Sequence, residues 1–270
     1  MGPGDSRLRI GASSWSAPSW EGVFYPPGAP PSDYLAHYAS RFDTVEVDAT
    51  FYRIPDERTV DAWRDRTPPG FVFAAKFPQV ITHEKLLEGC AEECLAFVRV
   101  MDRLGDKLGP LLLQFRYFRK EEFRDPNPFI DRLERFLPSL PRDRRYAVEV
   151  RNKTFVTARL LDVLRRNRAA LALIDHPWFF GVDQVMMKGN VLTADFAYVR
   201  LRREDDPSGE WAERTRMLLN QLTGRPVRSS RPLSGNALYV GVSKLFLLLE
   251  ALGTESTAPT QQPRATENQD

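Results

Sequence analysis

A chain of 270 residues with 42% hydrophobic and 27% charged side chains is long enough for a sizeable core, as one large domain or two small ones. Its formal charge of +2 gives no support for a general nucleic-acid binder, and local runs such as Arg142-Asp143-Arg144-Arg145 read as solvated faces. The first residues lack the apolar core of a signal peptide and no apolar run is long enough to span a bilayer, so the expectation is a cytoplasmic protein with no membrane partner.

Strand-like and helix-like runs alternate along the chain. Residues 8–13 read as a strand, followed by a loop rich in aromatics (Trp15, Trp20, Phe24, Tyr25) and a helix over 32–41. The next strand, 43–48, carries Val45 and Val47 on one face and Glu46 and Asp48 on the other. A carboxylate between two buried valines is unfavourable unless it is paired or used. A helix over 57–65, a strand over 71–76, a helix over 89–104 and a strand over 110–115 follow. Then come a helix at 128–136, a strand at 145–150, a helix at 157–166 and strands at 169–175 and 196–201. The pattern ends with a helix at 209–222, a strand at 237–242, a helix at 243–252 and a polar stretch over 254–270. Pro31, Pro55 and Pro128 fall near helix starts, where proline is tolerated. Such alternation predicts a parallel sheet, closed as an α/β (β/α)8 TIM-type barrel over 1–253 with a disordered tail over 254–270; an open doubly wound sheet is the alternative. No Gly-x-Gly-x-x-Gly motif follows the first strand and no phosphate loop is present, which lowers the case for a dinucleotide fold. Cys90 and Cys94, four apart on a helical pattern, read as small core residues.

In a barrel of this type, reactive groups gather at the C-terminal strand ends. Read in order, those ends offer Ser14 and Trp15, Glu46 and Asp48, Lys76, Gln114, Glu149 with Arg151, Asp175, and Arg200. Period-two alternation groups Leu171, Leu173 and Asp175, Leu112 and Gln114, and Ala147, Glu149 and Arg151. Four carboxylates and three fixed cations in one mouth suit general acid/base chemistry, with Glu46 and Glu149 as the pair. Lys76, with Arg151 or Arg200, would bind an anion or developing negative charge. His83, after Val80-Ile81-Thr82, is expected on a loop at the mouth; it or His176 would carry protons. The catalytic candidates are thus Glu46, Lys76, Glu149 and His83, and the substrate-binding candidates Trp15, Tyr52, Gln114, Arg151, Asp175 and Arg200. The aromatics near the first two strands either stack on a sugar or base or pack the barrel end. The sequence requires no cofactor; a divalent metal among Glu46, Glu149, Asp175 and the histidines is a minor alternative, since no close ligand motif is present. The ion-pair network could equally be a structural plug. Besides a small-molecule substrate, a nucleic-acid partner is the second reading, with Arg151, Arg200, Arg202 and Arg203 meeting phosphates and tryptophans stacking on bases.

Several separated motifs in order resemble the YecE-like family, or domain of unknown function 72. They are Gly11-Ala-Ser-Ser-Trp15-Ser16 with Phe24-Tyr25-Pro26, then Phe42-Asp-Thr-Val-Glu46-Val-Asp48-Ala-Thr50-Phe51-Tyr52. Next come Phe73-Ala-Ala-Lys76 with Ile81-Thr82-His83, and Leu108-Gly109-Pro110-Leu-Leu-Leu-Gln114-Phe115. Ala147-Val-Glu149-Val-Arg151 and Tyr198-Val-Arg200-Leu201 complete them. The resemblance implies a TIM-type barrel and supplies no reaction. The chain departs from the family pattern at Arg202-Arg203 (usually His-Gly), at Arg116 (usually Pro), after Arg151 (usually a Trp) and near the eighth strand, which lacks an Asn pair. The first four strands look intact and the last third irregular, which leaves an inactive divergent member as a further alternative.

Overall fold

The computed structural model describes residues 7–17, 20–175, 190–202 and 244–250, with the backbone alone for Arg7, Asp175, Arg202 and 244–250. The expected helix at 209–222, strand at 237–242 and tail, together with His176 and Arg203, lie outside the described residues.

Eight strands form one curled sheet: β1 (Arg7–Ala12), β2 (Thr44–Val47), β3 (Val72–Lys76), β4 (Leu108–Gln114), β5 (Tyr146–Glu149), β6 (Ala170–Asp175), β7 (Ala197–Arg202) and β8 (Lys244–Glu250). Their order is β1-β8-β7-β6-β5-β4-β3-β2, and β2 through β7 pair in parallel with their neighbours. Parallel neighbours need crossovers, supplied here by α2 (Glu57–Asp65), α3 (Ala91–Met101), α4 (Asn127–Phe136) and α5 (Ala158–Arg166); α1 (Pro31–Ala39) joins β1 to β2. Each helix has a local reason to start where it does. Pro31 sits in the first turn of α1, Asp56 accepts the Thr59 amide to cap α2, and Thr157 accepts the Leu160 amide to cap α5. Amphipathic spacing then buries Leu160, Leu161, Val163 and Leu164 while Arg165 and Arg166 end the last turn of α5.

The barrel departs from uniform parallel pairing at its eighth strand. Residues 244–250, expected inside a helix, are strand β8, antiparallel to both β1 and β7. The run Lys244-Leu-Phe-Leu-Leu-Leu-Glu250 is apolar without alternation, and such a run does not distinguish a strand buried on both faces from a buried helix. Being antiparallel, β8 starts at the mouth, with Lys244 paired opposite Arg202.

Two apolar layers follow from strand alternation. Val45, Val47, Phe73, Leu111, Leu113, Val148, Leu171, Leu173 and Val199 pack outward against the helices. The barrel interior holds Val72, Ala74, Leu112, Ala147, Ala170, Ala172, Phe196 and Tyr198. On β6 the interior is therefore lined by the alanines, while Leu171 and Leu173 belong to the outer layer. Small side chains leave room for Tyr198 and for the charged layer above it. β1 and β2 stand at opposite ends of the hydrogen-bonded order yet meet: a Cβ at Gly11 would lie 2.1 Å from the Thr44 carbonyl oxygen. The Ala12 amide donates to the Tyr38 hydroxyl (2.7 Å), which donates to the Thr44 carbonyl (3.0 Å).

The aromatic loop after β1 packs this flank. Trp20 stacks on Tyr38 and Tyr25 on Tyr34, with Phe24 edge-on to both Trp20 and Tyr25. Among the described residues no helix is long and apolar enough to cross a membrane.

Candidate functional site

Glu46 on β2, Lys76 on β3, Gln114 on β4, Glu149 on β5, and Tyr198 and Arg200 on β7 converge inside the mouth, each at or near a C-terminal strand end. Arg200 is the hub. Its Nε and Nη2 donate to Glu46 Oε2 and Oε1, both at 2.9 Å, and its Nη1 donates to Glu149 Oε2 at 2.6 Å. Tyr198 donates its hydroxyl to Glu46 Oε2 at 2.6 Å. Gln114 Nε2 donates to both oxygens of Glu149 at 2.9 Å, and Arg151 Nε adds a bond to Glu149 Oε1 at 3.1 Å. Both carboxylates are buried, and donors engage every oxygen of each.

That saturation sets their proton affinity. Burial alone would push Glu46 toward the protonated form, but Arg200, Lys76 and the Tyr198 hydroxyl outweigh it and hold the carboxyl down to about 2. Glu149 is lowered in the same way: burial opposes, and Arg200, Arg151, Gln114 and Lys76 prevail. Burial and the Glu46 charge in turn raise the Tyr198 hydroxyl well above its ordinary value, keeping it a donor. A general acid must hold its proton near neutral pH. Both Glu46 and Glu149 are lowered, which favours their ionised forms within this network.

Asp48, one turn of the pleat beyond Glu46, has the opposite environment. Its side chain is 29% exposed, and Lys76 Nζ lies 2.7 Å from its Oδ1 and 3.8 Å from Glu46 Oε1. Burial and the adjacent Glu46 charge raise its pKa, and Lys76 offsets only part of that. The strand pattern exposed Asp48 as polar, but its role depends on a neighbouring charge that alternation does not weigh.

His83 sits on a helical turn over Val80–Glu84 in the connection after β3. Its ring is edge-on to Phe51 at 4.9 Å, and Nδ1 lies 2.9 Å from Thr82 Oγ1. Burial first, then the Arg116 and Arg151 charges, drive its pKa down to about 4, which favours the neutral imidazole. Trp15 is partly buried, edge-on to Trp63 at 5.3 Å. Tyr52 stands on the turn after β2 and Arg151 at the rim, both exposed. Asp175 ends β6, and its side chain is outside those described. Arg200 is committed to two carboxylates and is not free to meet phosphates, which removes it from the nucleic-acid reading; the side chains of Arg202 and Arg203 are not among those described. Among the described residues no group of three or more His, Cys, Asp or Glu side chains is arranged to hold a metal ion.

A family model described as "Protein of unknown function DUF72" matches residues 9–238. The chain belongs to the DUF72 family. It is 33% identical over 149 residues to UPF0759 protein YecE of Escherichia coli K12, a match covering 55% of this chain and 50% of that protein. A 75-residue stretch is 36% identical to UPF0759 protein YunF of Bacillus subtilis, covering 28% of this chain and 26% of that protein. The matches thus span half or less of those relatives' length. Among solved structures, a DUF72 family protein from Thermotoga maritima superposes with a TM-score of 0.63 at 25% identity, covering 79% of this chain and 86% of that one. One from Enterococcus faecalis superposes at 0.55 and 20% identity, covering 77% and 91%, a likeness of fold. These DUF72 neighbours agree with the TIM-type barrel described above.

Proposed function

We propose that this DUF72 chain is an enzyme that moves a proton on a small anionic, phosphate- or sugar-containing substrate, with Asp48 as the general acid/base and Lys76 as its charge partner. The observation that carries the reading is the divergence of two neighbouring carboxylates around one lysine: Glu46 is held ionised at about 2 while Asp48 is raised. Pairs whose environments push their proton affinities apart are how a site divides acid and base roles. Asp48 is also the more accessible of the two, being part-exposed where Glu46 is buried. Lys76 and Arg151 would receive the anionic group, and protonation of Asp48 would release Lys76 from the closer of its two ion pairs, leaving the longer one to Glu46. Arg200, Tyr198 and Gln114 touch no substrate in this reading; they hold Glu46 and Glu149 in place.

The test is solvent-deuterium exchange into a panel of phosphorylated sugars and hydroxy acids, with intact protein. Wild type should label at least one compound, Asp48→Asn should abolish labelling while the protein stays folded, and Lys76→Met should chiefly weaken substrate binding. Labelling that survives Asp48→Asn would sink the assignment.

A further inference from the structure

Two tyrosines at the mouth expose most of their rings to solvent, Tyr52 meeting Phe51 edge-on at 5.3 Å. Among the described residues, Tyr52 and Tyr117 are the exposed aromatic side chains of the molecule, at 73% and 63%. Both lie just past C-terminal strand ends, Tyr52 after β2 and Tyr117 after β4. Both stand on anchored backbone. Before Tyr52, Thr50 Oγ1 donates to the Val47 and Lys76 carbonyls, and Phe51 packs on His83. Beside Tyr117, Arg116 is fastened to Glu122, and Phe118 is buried among Phe115, Phe123, Phe129 and Phe155. Asn152 completes that anchor, accepting the Phe118 amide and donating to its carbonyl, both at 2.8 Å. A ring held outward on a fixed turn loses little further freedom when something stacks on it.

Exposed cations follow each tyrosine in the chain: Arg53 after Tyr52, Arg119 and Lys120 after Tyr117 with Glu121 and Glu122 beyond, and Arg151 stands just past the end of β5. The His83 turn, in the connection after β3, comes between the two positions in strand order, with its ring against Phe51 and its charge state influenced by Arg116 and Arg151. Aromatic faces interleaved with fixed positive charge suit a flat ring joined to an anion. The tryptophans first considered for stacking do not: Trp20 is buried and Trp15 rests on Trp63.

We infer that Tyr52 and Tyr117 form a stacking platform for a nucleobase whose attached phosphate is held by the surrounding cations, in a free nucleotide or in a single strand. This deepens the reading of the mouth as an anion site and rests on it.

The experiment compares adenosine monophosphate, ribose 5-phosphate and a short oligothymidylate by calorimetric titration of the full chain. The nucleotide should bind at least about tenfold more tightly than the sugar phosphate, within the range stacking on one base supplies. Tyr52→Ala and Tyr117→Ala should each shrink that ratio, and Tyr52→Phe and Tyr117→Phe should keep it, because the ring face and not the hydroxyl does the binding. A tighter oligothymidylate with affinity falling steeply in salt identifies a single strand as the source; equal or weaker binding than the nucleotide identifies the free nucleotide. Equal affinity for nucleotide and sugar phosphate, a ratio unmoved by both alanine variants, or no nucleotide binding overturns the platform. If ribose 5-phosphate still binds in those cases, the anion site stands without it; if neither binds, the anion site falls too.

Discussion

Glu46 and Asp48 leave one strand two residues apart and enter different regions of the mouth. The floor, made by Glu46, Glu149, Arg200, Tyr198 and Gln114, is dry, and each of its carboxylate oxygens has a donor. The rim, made by Asp48, Lys76, Arg151 and His83, is partly wet; there burial and the Glu46 charge raise Asp48, while burial lowers His83. A buried network with every partner in place fixes geometry and resists protonation; a part-exposed carboxylate beside it inherits the network's charge and becomes chemically soft.

The largest effect that tests this contrast is on the floor. Arg200→Met leaves two buried carboxylates without their shared partner and should lower stability by about 3–5 kcal/mol, read by urea denaturation. An unchanged midpoint would mean that the floor is solvated and the contrast false. Asp48→Asn should do the reverse: turnover lost by ~10²–10⁴-fold, with stability at pH 7 unchanged or raised, because its ionised form is disfavoured in the fold. Glu46 sharpens the comparison through pH. Its folded pKa lies below its ordinary value of 4.5, so its contribution is fully present above that pH and is lost as pH falls toward about 2. Glu46→Gln should remove that part of the acid limb of a stability–pH curve. The smallest effect belongs to His83, whose pKa is lowered from 6.5 to about 4. The unfolded chain takes up this proton first, so stability should decline as pH falls from 6.5 to 4, and His83→Gln should flatten the curve in that window.

How much of this was legible from residues alone depends on range. β2 announced Glu46, because two valines flanking a carboxylate on a strand leave it nowhere cheap to go. The partner that completes it, Tyr198, is 152 residues away, and no local pattern says where that hydroxyl ends. The aromatic cluster after β1 was visible as composition, while its destination, a packed flank with Trp20 buried, depends on α1 arriving beside it. Tyr117 went unnoticed because an exposed ring and a buried one look alike in sequence; Phe118 beside it is buried. On β8 the failure was one of period, since continuous apolar residues carry no phase.

The Tyr38 hydroxyl gives the cylinder an uneven circumference. Everywhere else around the ring, adjacent strands exchange backbone hydrogen bonds, but the first and second are riveted by a phenol reaching in from a helix. Removing that oxygen orphans one amide and one carbonyl at the joint, a loss of about 1–3 kcal/mol for each buried group. Opening of the wall, as amide exchange would record it, should therefore begin along this seam, and α1 acts as its latch.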